Sequence, residues 1–198
     1  QESRGLGDVY KRQDCHTFDD HHVAGQGMDL RVADSDKIVT CDDSDCHGTE
    51  PHTDSIYNMH TKRLACTSCH ITAYGKLEFA ETERNWEKAF IPGMLTKENN
   101  PAPIHVWWNR ESEISNLGDT IIPTEGSILA KPMGDVNDPD SKIYAARLHK
   151  GRQPWNGDIL LPFKVATVKT DGMIRAIFDT TGEMYDPVQY INTSRYMG

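Results

Sequence analysis

The sequence predicts an α+β protein with a largely irregular, short-helical first part and a mixed α+β second part that contains a β-hairpin. Residues 14–70 have only eight Leu, Ile, Val or Phe side chains among 57 positions. Eleven acidic residues against four basic residues give this stretch a net charge of −7. Such a composition buries too little apolar surface to offset chain entropy, so long regular elements are not expected there. Large apolar residues return after position 70, and we predict one unit over 14–75 and a second unit, packed on it, over 76–198.

Two thiol pairs, each followed at once by a histidine, occur in the first part. The run 66–70 (CTSCH) has the C-x-x-C-H spacing at which haem c is attached, and the run 41–47 (CDDSDCH) has four residues between its thiols. Each thiol can add to one haem vinyl group, and the histidine after the second thiol can bind the iron as the proximal ligand. We therefore predict two complete haem c sites. Their thiols are Cys41, Cys46, Cys66 and Cys69, and their proximal ligands are His47 and His70.

A third Cys-His step occurs at Cys15 and His16, but Arg12 stands where C-x-x-C-H needs its first cysteine. We predict a partial third haem site, with Cys15 as the remaining thiol and His16 as the proximal ligand. A natural single-cysteine haem site is the alternative. Residues 1–13 (QESRGLGDVYKRQ) match nothing downstream and end in what resembles a translated sequencing adapter, so we expect a non-native leader.

Haem also accounts for the low apolar content of residues 14–75. A porphyrin supplies a large apolar face, so this part can build its interior around the cofactor instead of around leucine. We expect it to be unfolded without haem. Because haem is joined to thiols outside the cytoplasm and no export signal is visible, we also expect the chain to be a fragment of a periplasmic or otherwise extracytoplasmic protein.

The sixth ligand of each iron decides the function. A second histidine gives a low-spin iron that passes electrons, whereas an open position lets the iron bind a substrate. The histidines that lie near the thiol pairs in sequence are the predicted distal ligands: His22, His52 and His60. His105 and His149 are equally explained as structural residues.

Zinc is the competing interpretation of the same thiols. Nineteen residues separate Cys46 from Cys66, which is compatible with a four-cysteine zinc ribbon. A four-thiolate site has no use for a histidine directly after each pair, and this favours haem. Disulfides within the pairs are disfavoured because loops of two and four residues strain disulfide geometry.

Three elements are predicted in the second part. Leu77–Phe90 has apolar residues scattered among charges and is predicted as a helix that ends before a proline. Ile104–Trp108 follows two prolines and is rich in β-branched and aromatic residues, which is typical of an edge strand. The apolar runs Ile159–Val168 and Met173–Phe178 flank a turn sequence at 170–172 and predict a β-hairpin.

Parts of the chain resemble the multihaem cytochromes of the octahaem tetrathionate reductase type. They are the run 46–52 (CHGTEPH), His60 ahead of the run 66–70, and the run 149–165 (HKGRQPWNGDILLPFKV). The likeness covers most of residues 14–198 and implies a periplasmic or surface-exposed redox protein with closely stacked, mostly bis-histidine haems. In that family one haem has lysine in place of the proximal histidine and forms the substrate site. No cysteine of this chain is followed by lysine.

Three functional hypotheses follow. The first is electron transfer through c-type haems. The second is part of a multihaem oxidoreductase of the tetrathionate, nitrite or hydroxylamine type whose catalytic haem lies outside this chain, and the third is a zinc-binding structural module. For the first two, the expected partners are redox proteins or quinol-linked donors and further haems of the missing chain. The net charge of −9 argues against nucleic acid, and no run approaches the roughly 18 apolar residues of a membrane span.

Overall fold

The computed structural model describes residues 18–19, 22–23, 27–29, 40–43, 46–75, 79–123 and 127–198. The helices are α1 (Ser55–His60), α2 (Cys66–His70) and α3 (Val165–Thr181). The strands are β1 (Phe18–Asp19), β2 (His22–Val23), β3 (Phe79–Asn85), β4 (Leu95–Asn99), β5 (Ile104–Trp108), β6 (Ser112–Ile114), β7 (Ser127–Pro132), β8 (Lys142–Trp155) and β9 (Gln189–Met197). This mixture confirms the predicted α+β class.

A mixed sheet of seven strands forms the frame of the described structure. Its order is β4-β3-β8-β9-β7-β6, and β5 pairs with β8 outside that path. The β3–β8 and β7–β9 pairs are parallel and the other pairs are antiparallel. Strand β8 holds the sheet together, because it pairs with β5 along Lys142–Ala146, with β3 along Lys150–Arg152 and with β9 along Arg147–Trp155. Strands β1 and β2 form a separate antiparallel pair.

The predicted edge strand at Ile104–Trp108 is confirmed as β5, whose described pairing is with β8. Its last residue, Trp108, is only 4% exposed and packs with Met28 and Ala146 in a buried cluster. The indole Nε1 of Trp108 donates a hydrogen bond to the carbonyl oxygen of Glu111 at 2.9 Å. This bond, with a second one to the hydroxyl of Ser112 at 3.2 Å, satisfies the one polar atom of the buried ring.

The predicted β-hairpin over Ile159–Val168 and Met173–Phe178 is wrong. Residues 165–181 form α3, which buries Val168, Ala176 and Ile177. The turn sequence does mark a break, since Gly172 has a φ of +84° and interrupts the helical backbone. Gly172 therefore divides α3 into two helical stretches. The hairpin prediction assigned the apolar runs on either side the two-residue period of a strand, whereas the buried positions recur at helical spacing.

The predicted helix at Leu77–Phe90 is also wrong, because Phe79–Asn85 is strand β3 and Trp86–Lys88 is a 3-10 turn. Strand β3 pairs with β4 on one side and β8 on the other. Pairing with two neighbours outweighs the local preference of its Ala and Glu residues for a helix. The second part therefore does contain a β-hairpin, but β3 and β4 form it.

Candidate haem-binding site

The C-x-x-C-H run forms α2, a single helical turn. Ala65 precedes it in an extended conformation, with φ −67° and ψ 148°. A separation of three residues places Cys66 and Cys69 next to each other on one face of the turn. Both thiols are free; Cys66 is half-buried and Cys69 is exposed. One turn of helix thus presents two thiols side by side, and His70 ends it.

Hydrogen bonds fasten α2 to the start of β8. The carbonyl oxygen of Ile143 accepts from the N–H of Ala65 at 2.9 Å and from the hydroxyl of Ser68 at 2.5 Å. The N–H of Ile143 donates to the carbonyl oxygen of Arg63 at 2.8 Å. The imidazole Nε2 of His105 lies 3.2 Å from the carbonyl oxygen of Ser68. The longest strand of the sheet therefore positions the thiol-bearing turn.

Arg63 adds a second attachment just before α2. Its guanidinium lies over the ring of Trp107, 4.7 Å from the centroid. The same group donates to the carbonyl oxygens of Val136 and Asp138 at 2.7 Å and 2.8 Å. A stacked, multiply hydrogen-bonded arginine is a rigid link, because its planar donors are fixed relative to one another.

Asp43 organises the other thiol pair. Its carboxylate accepts from the N–H and the hydroxyl of Thr40 at 3.1 Å and 2.9 Å. Its carbonyl oxygen accepts from the N–H of Cys46 at 2.9 Å and from that of Gly48 at 3.1 Å. An aspartate that closes the backbone on both sides in this way forms a tight turn. Cys46 and His47 lie on the exposed side of that turn.

A neighbouring carboxylate carries a fixed negative charge. Thr40 and the positive charges of Lys142 and Arg110 hold the pKa of Asp42 below its ordinary value, against the opposing effect of burial. Asp42 is therefore ionised at neutral pH, directly beside Cys41.

His52 and His70 lie together although they are 18 residues apart in the chain. Their ring centroids are 6.1 Å apart and their planes differ by 19°. The side chain of Asn58 holds His52, since Oδ1 of Asn58 lies 3.1 Å from Nδ1 of the ring. His60, at the end of α1, has an exposed ring that faces the edge of Tyr57 at 6.3 Å.

Other predicted site residues are less fully described. His22 lies in β2, and the structure describes its backbone. Cys15, His16 and the predicted leader 1–13 lie outside the described residues. Their roles stay predictions.

The structure does not bring the four thiols into a common metal site. Within the described ranges, which include both thiol pairs, no three His, Cys, Asp or Glu side chains are grouped so that they could hold a metal ion. In the same ranges, no helix combines the length and the apolar character that crossing a bilayer requires.

A family model described as bacterial cytochrome c matches residues 76–184, which is more than half of the chain. The chain belongs to this bacterial cytochrome c family. The matched residues contain no cysteine, so membership rests on the part of the chain that holds β3 to β8 and α3 and not on the thiol pairs. No curated protein sequence matches the chain.

The fold of this cytochrome is similar to a known one. The crystal structure of octaheme cytochrome c from Shewanella oneidensis superposes with a TM-score of 0.75 at 22% sequence identity. The match covers 95% of this chain and 50% of that one, so the cytochrome spans about half the length of its structural relative. The predicted resemblance to octahaem cytochromes is confirmed for the fold.

Haem c is the cofactor of a cytochrome c, and the described residues fit it. The free thiols of α2 are adjacent, and His70 follows them without an intervening residue. Helix α1 buries none of its side chains, and its Ile56, Tyr57 and Met59 are each more than half exposed. Exposed apolar side chains on this short helix suit contact with a porphyrin face.

Asn58, Ser68 and Arg63 are the residues that sequence reasoning missed. Asn58 bonds to His52, six positions earlier, whereas Ser68 and Arg63 bond to residues more than 70 positions later, and none of these pairs has a recognisable spacing. The extended pairing of Ala65 with Ile143 depends on the sheet topology, which the sequence pattern did not predict.

Proposed function

We propose that this cytochrome transfers electrons through covalently bound c-type haems with mostly bis-histidine ligation, as part of a periplasmic multihaem protein. Two haems would be held completely, one by Cys41, Cys46 and His47 and the other by Cys66, Cys69 and His70. Residues 14–75 would form the haem-bearing unit and residues 76–198 the unit that supports it. Each haem supplies a centre that gains and loses one electron.

One observation carries the proposal: the single turn α2 presents two free thiols and a histidine, and a second histidine ring lies 6.1 Å away. Thiols on one helix face can form two thioether bonds to one porphyrin. Two histidines that bind one iron favour a low-spin, six-coordinate state. His52, His60 and His22 are the proposed distal ligands.

The residues around the thiols would also set the reduction potential. Asp42 remains ionised next to Cys41, and Asp43 holds the loop through its carboxylate. Negative charge near an iron favours the ferric over the ferrous state, and Lys142 and Arg110 offset part of the charge of Asp42. The two proposed sites therefore differ in their charged surroundings.

The proposed location is the periplasm or another extracytoplasmic space, because thioether attachment of haem takes place there. The proposed partners are redox proteins or quinol-linked donors, together with haems carried by further chain. A second candidate function is part of a multihaem oxidoreductase. It is favoured by one observation: the chain spans half the length of its octahaem structural relative, so a catalytic haem would have room outside it.

Optical and electron paramagnetic resonance spectra of the chain, exported and matured in a haem c-producing bacterium, test the proposal. We expect c-type absorption with low-spin iron throughout and no change on adding cyanide or nitrite. A high-spin component that binds either anion would favour the oxidoreductase. Colourless, folded protein that holds zinc on its thiolates would contradict both.

A further inference from the structure

His52 is held by three hydrogen bonds from one side chain. Oδ1 of Asn58 accepts from the backbone N–H of His52 at 3.0 Å, and Nδ2 of Asn58 donates to the carbonyl oxygen of His52 at 2.8 Å. Because a backbone N–H only donates and a carbonyl only accepts, these two bonds fix which end of the amide is the oxygen. That same oxygen lies 3.1 Å from Nδ1 of the His52 ring.

The amide orientation determines the tautomer of the ring. An acceptor oxygen faces Nδ1, so Nδ1 carries the proton and donates. In the neutral ring the lone pair is then on Nε2, which points away from Asn58. Histidines that bind metals are typically prepared in this way, since the other ring nitrogen donates to a protein acceptor.

The position of the second ring completes the argument. An imidazole–metal bond is about 2 Å long, so two imidazoles bound on opposite sides of one metal have ring centroids about 6 Å apart. The rings of His52 and His70 are 6.1 Å apart and nearly parallel. His70 follows Cys69 directly and is the proximal ligand in the proposed function, on which this inference rests.

We propose that His52 and His70 bind the two faces of the same haem iron, the one anchored by Cys66 and Cys69, and that Asn58 is the positioning residue that prepares His52. Helix α1 contributes Asn58 at its fourth residue, and Asp54 fixes the start of that helix by accepting from the N–H of Ile56 at 2.8 Å. The short helix between the two histidines thus orients the distal ligand.

Single and double glycine variants of the holoprotein test whether the two histidines share an iron. His52→Gly is expected to convert one haem from low to high spin, and added imidazole is expected to restore it. The double variant, His52→Gly with His70→Gly, is expected to alter that same haem and no other. If His70→Gly prevents haem attachment, the double variant should lack one haem and keep the remainder low-spin. Two altered haems in the double variant would overturn the pairing while leaving the proposed function intact.

The spectra carry a second signature. Nearly parallel imidazole planes give a rhombic low-spin resonance, whereas perpendicular planes give a single signal at large g. The resonance that disappears in His52→Gly is expected to be rhombic. Loss of a large-g signal instead would contradict the pairing of these two rings.

Asn58→Leu removes the three hydrogen bonds and tests the positioning role. Outer-shell partners are worth about 10- to 100-fold in metal affinity, so cyanide, which leaves the parent spectrum unchanged, should bind one iron of this variant. Asn58→Asp keeps the acceptor and should remain low-spin, with a more negative potential for that haem because a carboxylate accepts more strongly. Asn99→Leu, at the exposed end of β4, is the matched control. Cyanide affinity in Asn58→Leu equal to that of the control would overturn the positioning role.

Discussion

The haem-bearing segment and the sheet are stabilised in different ways. Helices α1 and α2 have no buried side chain, and Ala65 between them is the buried residue among described positions 40–75. In the sheet region, Trp108, Ala146, Leu161 and Ile177 are all at most 4% exposed. The sheet region is therefore stabilised by buried apolar side chains, and Met28 from the first part joins that core, whereas the described positions 40–75 are attached mainly by hydrogen bonds to β8 and to residues 136–138.

This difference indicates which region needs the cofactor in order to fold. Apolar burial is the main favourable term in folding, and a segment without it needs another source. The exposed Ile56, Tyr57 and Met59 of α1 are the side chains that a porphyrin would cover. The family match to residues 76–184 agrees with this division, because the matched part contains strands β3 to β8 and helix α3 and no thiol.

The largest expected effect comes from removing one haem. Cys66→Ser combined with Cys69→Ser abolishes both thioether bonds. Residues 46–75 should then lose most of their hydrogen-exchange protection, because Ala65 is the one buried side chain described there, while β8 and β9 should keep theirs. Exchange measured by mass spectrometry distinguishes the regions. Unchanged protection across residues 46–75 in the variant would contradict the claim that this segment, unlike the sheet region, depends on haem for its stability.

A smaller loss is expected from the core of the sheet region. Ile177 is fully buried in α3, so Ile177→Ala should lower the free energy of unfolding by about 2–5 kcal/mol. Ile122 is 73% exposed, and Ile122→Ala should stay within about 0.5 kcal/mol of the parent. Urea unfolding measures both. Equal effects at the two isoleucines would mean that the sheet region also lacks a core of its own.

The junction between the regions should contribute less again. Ser68→Ala removes the hydroxyl that donates to Ile143, for an expected cost of about 0.5–1.5 kcal/mol. The loss should be local, because Ala65 still donates to the same carbonyl. Hydrogen exchange of residues 65–71 should become faster in this variant. It should stay unchanged in the control Ser55→Ala, a substitution at an exposed residue of α1. Global destabilisation by Ser68→Ala would show that the two regions unfold as one.

The smallest expected effect is on how the stability of the protein depends on pH. Burial lowers the pKa of His149 below its ordinary 6.5, with Arg195 and Arg147 acting in the same direction and Glu81 opposing them. The unfolded chain therefore binds this proton more readily than the folded one. The stability contributed by neutral His149 is complete above about pH 6.5 and is lost as the pH falls toward the folded pKa.

Urea unfolding between about pH 7.5 and about pH 5.5 measures this dependence. His149→Gln does not titrate and should show a flatter decline than the parent. The pKa of Glu81 is held low by its hydrogen bond with Arg84, so its contribution is lost only in stronger acid. Identical slopes for parent and variant would contradict the role given to His149.

The sequence predicted local features better than tertiary ones. The α2 turn at 66–70 follows from the thiol spacing, and the edge strand β5 follows from its prolines and aromatic residues. The hairpin and helix predictions failed at α3 and β3, where partners distant in sequence decide the conformation. Tertiary pairing of this kind has no signature within a short window.

The same limit applies to the site. The thiols and histidines were recognisable because their chemistry requires fixed spacing. The contact between His52 and His70 and the three bonds from Asn58 depend on how α1 folds back, which spacing does not encode. The role of Asp43 in a turn could have been predicted from the sequence. The four hydrogen bonds that it accepts could not.

The central claim is that haem, joined through two thiol pairs, forms the interior of the first part of the chain. Peptide mass spectrometry of the matured protein tests it most directly. We predict one haem on the peptide with Cys41 and Cys46 and one on the peptide with Cys66 and Cys69. Unmodified thiols on both peptides of a folded, exported protein would contradict it.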